Sequence, residues 1–163
     1  MSANIKISFR SDVRSEDAET VRDIVDSTGF FYDFEIPVAV ELVEERLKLG
    51  LESDYYFIFA ELEGKTVAYS CFGPIAGTEG SFDLYWIATH NNHRGKGIGR
   101  WLIDETHKVI KTMGGRLVLA ETSTLEKYAP TRHFYDQLGY TLEAGIDDFY
   151  KEGDGKVFFI KRL

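Results

Sequence analysis

The segment His93–Arg100 constrains the fold of this chain more than any other stretch. It reads HRGKGIGR and brings together three glycines and three strongly basic residues. Before it, residues Phe82–Ala88 alternate as in a half-buried strand, and after it apolar residues recur near the helical period. Those apolar residues are Ile98, Trp101, Leu102, Val109, Ile110 and Met113. The glycines therefore stand where a strand is followed by a helix.

A glycine-rich junction of this kind is suited to binding an anion. The first turn of a helix has unpaired N–H donors and carries the positive end of the helix dipole. A phosphate placed there would accept several hydrogen bonds, and Arg94, Lys96 and Arg100 would add positive charge. The dinucleotide pattern G-x-G-x-x-G does not fit, because its third glycine would fall on Arg100. A nucleotide P-loop does not fit either, because Gly97 follows Lys96 where Ser or Thr is needed.

The spacing Arg94-x-x-Gly97-x-Gly99 resembles the R/Q-x-x-G-x-G/A signature of the GNAT superfamily of acyl-CoA-dependent N-acyltransferases. Two flanking segments, Leu84–Thr89 and Phe134–Tyr140, resemble the strand before that signature and the penultimate helix, in the family's order. The resemblance covers essentially the whole chain, and its specific motifs lie within residues 82–140. In the family this loop holds the pyrophosphate of coenzyme A, so the resemblance implies acetyl-CoA as the cofactor.

The resemblance also implies an α/β fold of the α+β type. Its central sheet is mixed and largely antiparallel, with helices on both faces and one parallel strand pair that is splayed at the cofactor site. The sequence pattern agrees, because Tyr55–Leu62 and Lys65–Phe72 are joined by Glu63-Gly64, which predicts an antiparallel hairpin. The strand before the glycines, the long helix and the strand Leu117–Ala120 predict a parallel pair with a right-handed crossover.

Weaker signals predict the remaining elements. A first strand is expected at the alternating apolar residues Ile5, Ile7 and Phe9. The other predicted helices run from a cap at Ser15 to Gly29, from about Pro37 to Gly50, and from Pro130 to Gly139. The second of these is expected to direct Val40, Val43, Leu47 and Leu49 inward. Two short final strands are expected at residues 140–142 and 157–160.

Composition limits the class of protein. A chain of 163 residues with 44% hydrophobic residues is typical of one domain, here spanning residues 1–163. The net charge of −8 argues against a nucleic acid or an anionic membrane as partner and slightly favours a cationic one. No leader or membrane-length apolar run is visible, and the single cysteine, Cys71, is expected to be a buried, unreactive thiol. We therefore expect a cytoplasmic protein.

Acyl transfer from a thioester to an amine needs a deprotonated amine, a polarised carbonyl and a protonated leaving thiolate. The resemblance implies that the backbone amides near Ile87, Ala88 and Thr89 hold the pantetheine arm and the thioester oxygen. It also implies that Tyr135 contacts the cofactor and acts as general acid, although Tyr135 could instead be a core residue. The remaining predicted cofactor-binding residues are Arg94, Gly95, Lys96, Gly97, Ile98, Gly99 and Arg100.

The strand before the glycines offers a candidate base. Alternation places Asp83 with Ser81, Tyr85 and Ile87 on one face, opposite the core residues. Asp83 could deprotonate or bind the amine, or it could be an ordinary solvated or paired carboxylate. The predicted acceptor-binding residues are Phe31, Tyr32, Glu35, Asp83, Tyr85 and Glu121. No metal site is predicted, because His90 and His93 have no third ligand nearby.

The sequence thus predicts an N-acetyltransferase that transfers an acetyl group from acetyl-CoA to a primary amine of a small molecule or peptide, by direct attack in a ternary complex. A catalytically silent acyl-CoA-binding or regulatory module on the same fold is the alternative, and a homodimer is left open. Many family members have an asparagine where this chain has Tyr128. Whether Tyr128 and residues 123–127 contact the cofactor is therefore open as well.

Overall fold

The structure is a computed structural model that describes residues 5–163. Residues 1–4, the first part of the N-terminal segment in which no leader is expected, lie outside the described residues. The strands are β1 (Ile7–Arg10), β2 (Tyr56–Leu62), β3 (Lys65–Pro74), β4 (Ser81–Thr89), β5 (Leu117–Ser123), β6 (Thr141–Lys151) and β7 (Asp154–Arg162). The α-helices are α1 (Asp17–Ser27), α2 (Glu35–Leu49), α3 (Ile98–Thr112) and α4 (Ala129–Gln137).

The strands form a mixed sheet in the order β1-β2-β3-β4-β5-β7-β6. The pairs β1–β2, β2–β3, β5–β7 and β6–β7 are antiparallel, whereas β4 and β5 are parallel. This confirms the predicted fold class. The parallel register runs from Ser81 opposite Leu117 to Leu84 opposite Ala120, although the two strands continue to Thr89 and Ser123. Pairing over only the first part of each strand is consistent with the predicted splay.

The predicted hairpin is confirmed with a tight turn between β2 and β3. Leu62 pairs with Lys65, and the two residues between them, Glu63 and Gly64, have φ values of 52° and 79°. Two consecutive positive φ values are the requirement of a type I′ turn, whose twist matches that of the flanking strands. Glycine meets this requirement at no steric cost, so the sequence signal at Gly64 has a direct physical cause.

The described chain contains two compact units. The first comprises residues 5–73 and 86–109, and the second comprises residues 74–85 and 110–163. The expectation of a single domain over residues 1–163 stays a prediction. The core of the first unit joins α1 and α2 to β2, β3 and the end of β4. Its buried residues are Val21, Ile24, Val25, Ala39, Val43, Phe57, Phe59, Tyr69, Cys71 and Ala88. Cys71 is buried, as predicted, and burial raises the pKa of its thiol well above the usual value, which disfavours the reactive thiolate.

A buried ion pair fixes the start of α1. The guanidinium of Arg10 donates to both carboxylate oxygens of Asp17 at 2.8 Å and to Glu61 at 2.7 Å. Asp17 also accepts the backbone N–H of Arg14 at 2.7 Å. The predicted cap at Ser15 is therefore wrong, since the Ser15 hydroxyl donates to Glu16 and the helix begins at Asp17.

Two predictions for the second helix differ from the structure. Helix α2 begins at Glu35, because Pro37 is tolerated within a first helical turn and does not have to start it. Leu47 and Leu49 are exposed, because the hydrophobic pattern of a helix identifies a face but not whether anything covers its last turn. Trp101 and Met113 of α3, which also follow the helical period, are exposed as well.

The last two strands are much longer than predicted. Residues 140–142 and 157–160 were expected as short strands, but β6 and β7 together span residues 141–162 as one long hairpin. Its charged and glycine-containing part does not alternate in hydrophobicity, and every residue of β6 is exposed, so the usual period-two signal of a half-buried strand is missing. Within residues 5–163, no helix combines the length and the apolar character needed to cross a bilayer.

The ion pair at the start of α1 generates a stability prediction. Asp17→Ala should lower the free energy of unfolding by about 3 kcal/mol, because the Arg10 side chain, only 8% exposed, would lose its main counter-charge. Urea unfolding followed by circular dichroism measures this change. Asp12→Ala is the control, since the pair of Asp12 with Arg14 lies in solvent and should leave the unfolding midpoint almost unchanged. Equal midpoints for both variants would contradict the prediction.

Candidate active site

The glycine-rich segment forms an exposed loop between β4 and α3. Gly95 and Gly97 have φ values of 76° and 79°, a conformation that a side chain would strain. A Cβ atom added to either glycine would meet no atom within 4 Å, so the backbone at both positions faces open space. The structure therefore leaves room for a ligand to approach this backbone closely.

The start of α3 supplies donors to the same loop. The backbone N–H of Trp101 donates to the carbonyl of Gly97 at 3.2 Å, which closes the first helical turn. The amides of residues 98–100 precede that bond and have no carbonyl one turn back within the helix. The side chains of Arg94, Lys96 and Arg100 are exposed around the loop. All predicted pyrophosphate-binding residues thus belong to one loop and helix start, and this donor set fits a diphosphate.

The aromatic segment between α1 and α2 packs against other residues of the first unit. The Arg94 guanidinium lies 4.8 Å from the ring centroid of Phe30, and Phe31 contacts Trp86 edge-on with a centroid distance of 4.7 Å. Tyr32 stacks on Phe34, whose side chain is exposed. The predicted acceptor residues Phe31 and Tyr32 therefore lie in a segment that contacts both the glycine-rich loop and β4.

Glu35 has a structural role that the sequence did not indicate. Its carboxylate accepts the backbone N–H of Tyr32 at 3.0 Å and lies in the first turn of α2. Negative charge at this end of a helix is stabilising. A further role of Glu35 in acceptor binding stays a prediction.

The two histidines before the loop have different surroundings. His90 Nδ1 accepts the N–H of Asn92 at 3.1 Å, and its Nε2 lies 3.4 Å from the Asp23 carboxylate. His93 Nδ1 is enclosed without a hydrogen-bond partner, and burial, reinforced by the positive charge of Lys96, lowers the His93 pKa. In the part of the chain that the structure describes, no group of three or more His, Cys, Asp or Glu residues could hold a metal ion.

Strand β4 alternates as the sequence predicts. Phe82, Leu84 and Ala88 are buried, whereas Asp83 is half-buried and Tyr85 is exposed. Ile87, Ala88 and Thr89 are the last three residues of the strand. Their role as backbone donors to the pantetheine arm and the thioester oxygen stays a prediction.

The second unit gathers charged residues on one face of its strands. Asp83 pairs with Leu119 of β5, and Glu121 pairs with Phe158 of β7, so the alternation places Asp83, Glu121 and Lys156 on the same side. Lys156 Nζ forms an ion pair with the Glu121 carboxylate. Burial raises the pKa of Asp83, the negative charge of Glu121 raises it further, and the positive charge of Lys156 acts in the opposite direction.

Sequence reasoning found Asp83 and Glu121 but missed Lys156. A lysine within the otherwise apolar strand segment Gly155–Ile160 was the available signal, because a charge among strand residues usually has a specific partner. The pairing of β5 with β7 identifies that partner as Glu121.

Tyr135 lies in α4 within an aromatic cluster of the second unit. Its ring centroid is 5.1 Å from that of Tyr140 and 5.6 Å from that of Phe159, and 5% of the residue is exposed. Burial raises the pKa of Tyr135 well above the usual value of a phenol. The interpretation as a core residue is therefore correct for the ring, while the catalytic role of the hydroxyl stays a prediction.

Hydrogen bonds at both ends hold α4 in place. Arg132 donates to the carbonyls of Ser123 and Leu125 at 2.7 and 2.9 Å, and Lys161 Nζ donates to the carbonyl of Leu138 at 2.5 Å. Tyr128, which replaces the family's asparagine, is buried at the start of this helix. The segment 123–127 is thus anchored by Arg132, and its contact with a cofactor stays open.

The family described as acetyltransferase (GNAT) domain matches residues 53–142. A crystal structure from Desulfovibrio desulfuricans, described as an acetyltransferase of the GNAT family, is 43% identical to this chain, with a TM-score of 0.94. The similarity covers 96% of this chain and 99% of that chain. No curated protein sequence matches the chain.

Two solved structures of lower identity are similar in fold alone. An aminoglycoside 6′-N-acetyltransferase complexed with coenzyme A is 16% identical, with a TM-score of 0.75, and the similarity covers 97% of each chain. The ribosomal-protein-S18-alanine N-acetyltransferase from Escherichia coli is 14% identical, also with a TM-score of 0.75. Here the similarity covers 97% of this chain and 94% of that chain.

The open backbone at Gly97 generates a binding prediction. Gly97→Val should lower the affinity for coenzyme A by at least about tenfold, because the added side chain would occupy the space through which a diphosphate reaches the amides. Isothermal titration calorimetry measures this affinity. Gly77→Val is a matched control, because Gly77 also has a positive φ of 76° and open space around it but lies in the turn before β4. An unchanged affinity in Gly97→Val would show that the loop does not hold the diphosphate.

Proposed function

Because this chain belongs to the GNAT acetyltransferase family, we propose that it transfers the acetyl group of acetyl-CoA to a primary amine of a small molecule or peptide, by direct attack in a ternary complex. Membership of the family makes the chain an acyltransferase. The observation that carries the proposal is the exposed loop of positive-φ glycines at the start of α3, surrounded by three basic side chains. The cytoplasmic location and the homodimer stay predictions.

The residues that would hold acetyl-CoA are those of the loop and the end of β4. Arg94, Lys96, Arg100 and the amides of residues 95–100 would hold the diphosphate, and the amides of residues 87–89 would hold the pantetheine arm and the thioester oxygen. When bound, acetyl-CoA supplies an acetyl group activated as a thioester. An amide that donates to the thioester oxygen would stabilise the negative charge that develops there during attack.

We assign to Asp83 the removal of a proton from the acceptor's ammonium group. A primary ammonium has a pKa of about 10.4 and an ordinary aspartate one of about 3.9, so complete transfer at neutral pH is strongly uphill. Burial and Glu121 raise the pKa of Asp83, which reduces this difference and makes its carboxylate a better proton acceptor. The same carboxylate would hold the ammonium before the proton leaves.

We assign to Tyr135 the stabilisation of the leaving thiolate. A thiol has a pKa of about 8.5 and a phenol one of about 10, so full proton transfer to sulfur is uphill even for an ordinary tyrosine. Burial raises the pKa of Tyr135 further, so its hydroxyl stays protonated at neutral pH. We therefore assign to it a hydrogen bond that strengthens as negative charge develops on sulfur.

Both kinds of acceptor have support from proteins of the same fold. The names of the two structures of lower identity give a small molecule, an aminoglycoside, as acceptor in one case and a ribosomal protein in the other. The net charge of −8 favours a cationic acceptor over an anionic one. We propose that Phe31, Tyr32, Glu35, Tyr85 and Glu121 contribute with Asp83 to acceptor binding.

The hydroxyl of Tyr135 generates a kinetic prediction. Tyr135→Phe keeps the ring in its aromatic cluster and removes only the hydroxyl, so the melting temperature should change little. The value of kcat should fall by roughly 10² to 10³-fold, the usual effect of removing one hydrogen-bond donor to a developing negative charge, while the affinity for coenzyme A changes little. Thiol release with an active amine measures kcat. Tyr140→Phe is the control, because it removes a hydroxyl from the same cluster, and equal kcat values for the two variants would contradict the assignment.

The charges around Asp83 generate a prediction about pH. If Asp83 must be ionised for activity, kcat/KM falls as the pH falls through its pKa. Glu121→Gln removes a negative charge that raises this pKa and leaves the opposing charge of Lys156, so the acidic limb should move to lower pH. Glu143→Gln on the exposed strand β6 is the control. The acceptor's own pKa is the same for the wild type and for Glu121→Gln. If the acidic limb of the kcat/KM profile did not move in Glu121→Gln, Asp83 would be excluded as the titrating group.

A further inference from the structure

The hairpin of β6 and β7 contains an unusual bulge. Ile146 pairs with Lys156, and the next pair joins Lys151 to Asp154, so residues 147–150 all lie opposite Gly155. Within the bulge, Asp148 has a φ of 55°, which is uncommon for a residue other than glycine. Its Oδ1 accepts the N–H of Gly153 at 2.7 Å, which holds this conformation.

The opposite strand is adapted to the bulge. A Cβ atom added to Gly155 would lie 2.9 Å from the backbone oxygen of Ile146, so only glycine fits there without movement of the backbone. Backbone strain combined with a close approach of this kind is concentrated at functional sites, and bulges often redirect side chains beside them. Besides Asp147 and Asp148, this bulge carries the aromatic side chains of Phe149 and Tyr150.

The bulge brings both rings to one ammonium group. In a regular strand Phe149 and Tyr150 would point to opposite faces. Here their ring centroids lie 4.3 and 5.8 Å from Lys156 Nζ, and that of Phe158 lies at 5.4 Å. The Glu121 carboxylate completes the surroundings. We call this set of three rings and one carboxylate, formed by Phe149, Tyr150, Phe158 and Glu121, the cation cage.

The two rings that the bulge contributes to the cage are partly exposed to solvent. The Lys156 side chain is 13% exposed, whereas Phe149 and Tyr150 are 48% and 46% exposed. If these rings served only to stabilise the hairpin, burying them would stabilise it more, because aromatic surface that stays exposed contributes no hydrophobic stabilisation. A lysine side chain is long and flexible, so it can leave such a site without a change in the backbone. The geometry is therefore that of a site whose resident cation can be exchanged.

We propose that the cation cage binds an ammonium group of the acceptor and that Lys156 is the internal cation that fills the cage until the acceptor replaces it. Rings and a carboxylate together select organic cations, because the ring faces and the carboxylate are both negative. A neutral or anionic compound could not replace Lys156 without leaving Glu121 unpaired. Lys156 is thus a residue that determines specificity for cationic acceptors.

The identity of the ligand as an acceptor rests on the proposed acetyl transfer, but the cation site can be tested without it. The probe is choline, with its neutral isostere 3,3-dimethylbutan-1-ol as comparison, in the absence of acetyl-CoA. Lys156→Met removes the resident charge and keeps most of the side chain's length. The variant should bind choline about tenfold more tightly than the wild type, as measured by NMR titration, with no gain for the isostere.

Two further variants define the origin of this gain. Lys111→Met makes the same change in net charge on the last turn of α3 and should leave choline binding as in the wild type. Adding Glu121→Gln to Lys156→Met should abolish the gain, because the carboxylate of the cage is lost. Equal choline affinities in the folded Lys156→Met variant and the wild type would overturn the proposal and leave Lys156 as a structural partner of Glu121.

A measurement on the wild type covers the case in which Lys156→Met does not fold. The ε-methylene protons of Lys156 should be shifted upfield by the ring of Phe149, and choline should move them toward the values of a free lysine. An unchanged Lys156 signal up to high choline concentration would overturn the proposal. Absence of acetyl transfer to every amine, with this displacement intact, would refute the proposed function but not the cation cage.

Discussion

The parallel pairing of β4 with β5 is the constraint on which the glycine-rich loop depends. Parallel neighbours cannot be joined by a tight turn, so the chain after β4 has to cross over, and α3 provides the crossover. Because β4 ends at Thr89 and α3 begins at Ile98, the glycine-rich loop and the first turn of the helix both follow the carboxyl end of the strand. Gly95 and Gly97 then leave the backbone accessible at that turn. The predicted capacity of this loop to bind an anion therefore has its basis in the topology, and the basic side chains would add to it.

Charge balance in the second unit explains how its carboxylates can lie together. Burial raises the pKa of Asp83, and the negative charge of Glu121 raises it further. Lys156 offsets this effect of Glu121 and is itself held by Glu121 and three rings. With all three groups ionised, one negative charge remains. An ammonium that takes the place of Lys156 beside Glu121 would keep this balance, so the cluster is suited in sign to a cationic group.

Much of the fold could be predicted from the sequence, because the relevant signals are local. Glu63-Gly64 fixes the hairpin of β2 and β3 through backbone conformation, and the alternation along β4 correctly separates Asp83 from its buried neighbours. The cation cage could not be predicted in this way. It depends on a bulge at Asp148 that interrupts the two-residue period and on a pairing between strands that are distant in sequence.

The core and catalytic interpretations of Tyr135 are compatible, because the same burial supports both. Packing against Tyr140 and Phe159 fixes the ring, so the position of the hydroxyl is set without loss of side-chain entropy during the reaction. Burial also raises the pKa of Tyr135, so the hydroxyl carries its proton throughout the neutral range. A phenol of this kind is a poor proton shuttle but a permanent hydrogen-bond donor. Stabilisation of a developing thiolate needs only such a donor, and a thiol with a pKa near 8.5 can acquire its proton from water afterwards.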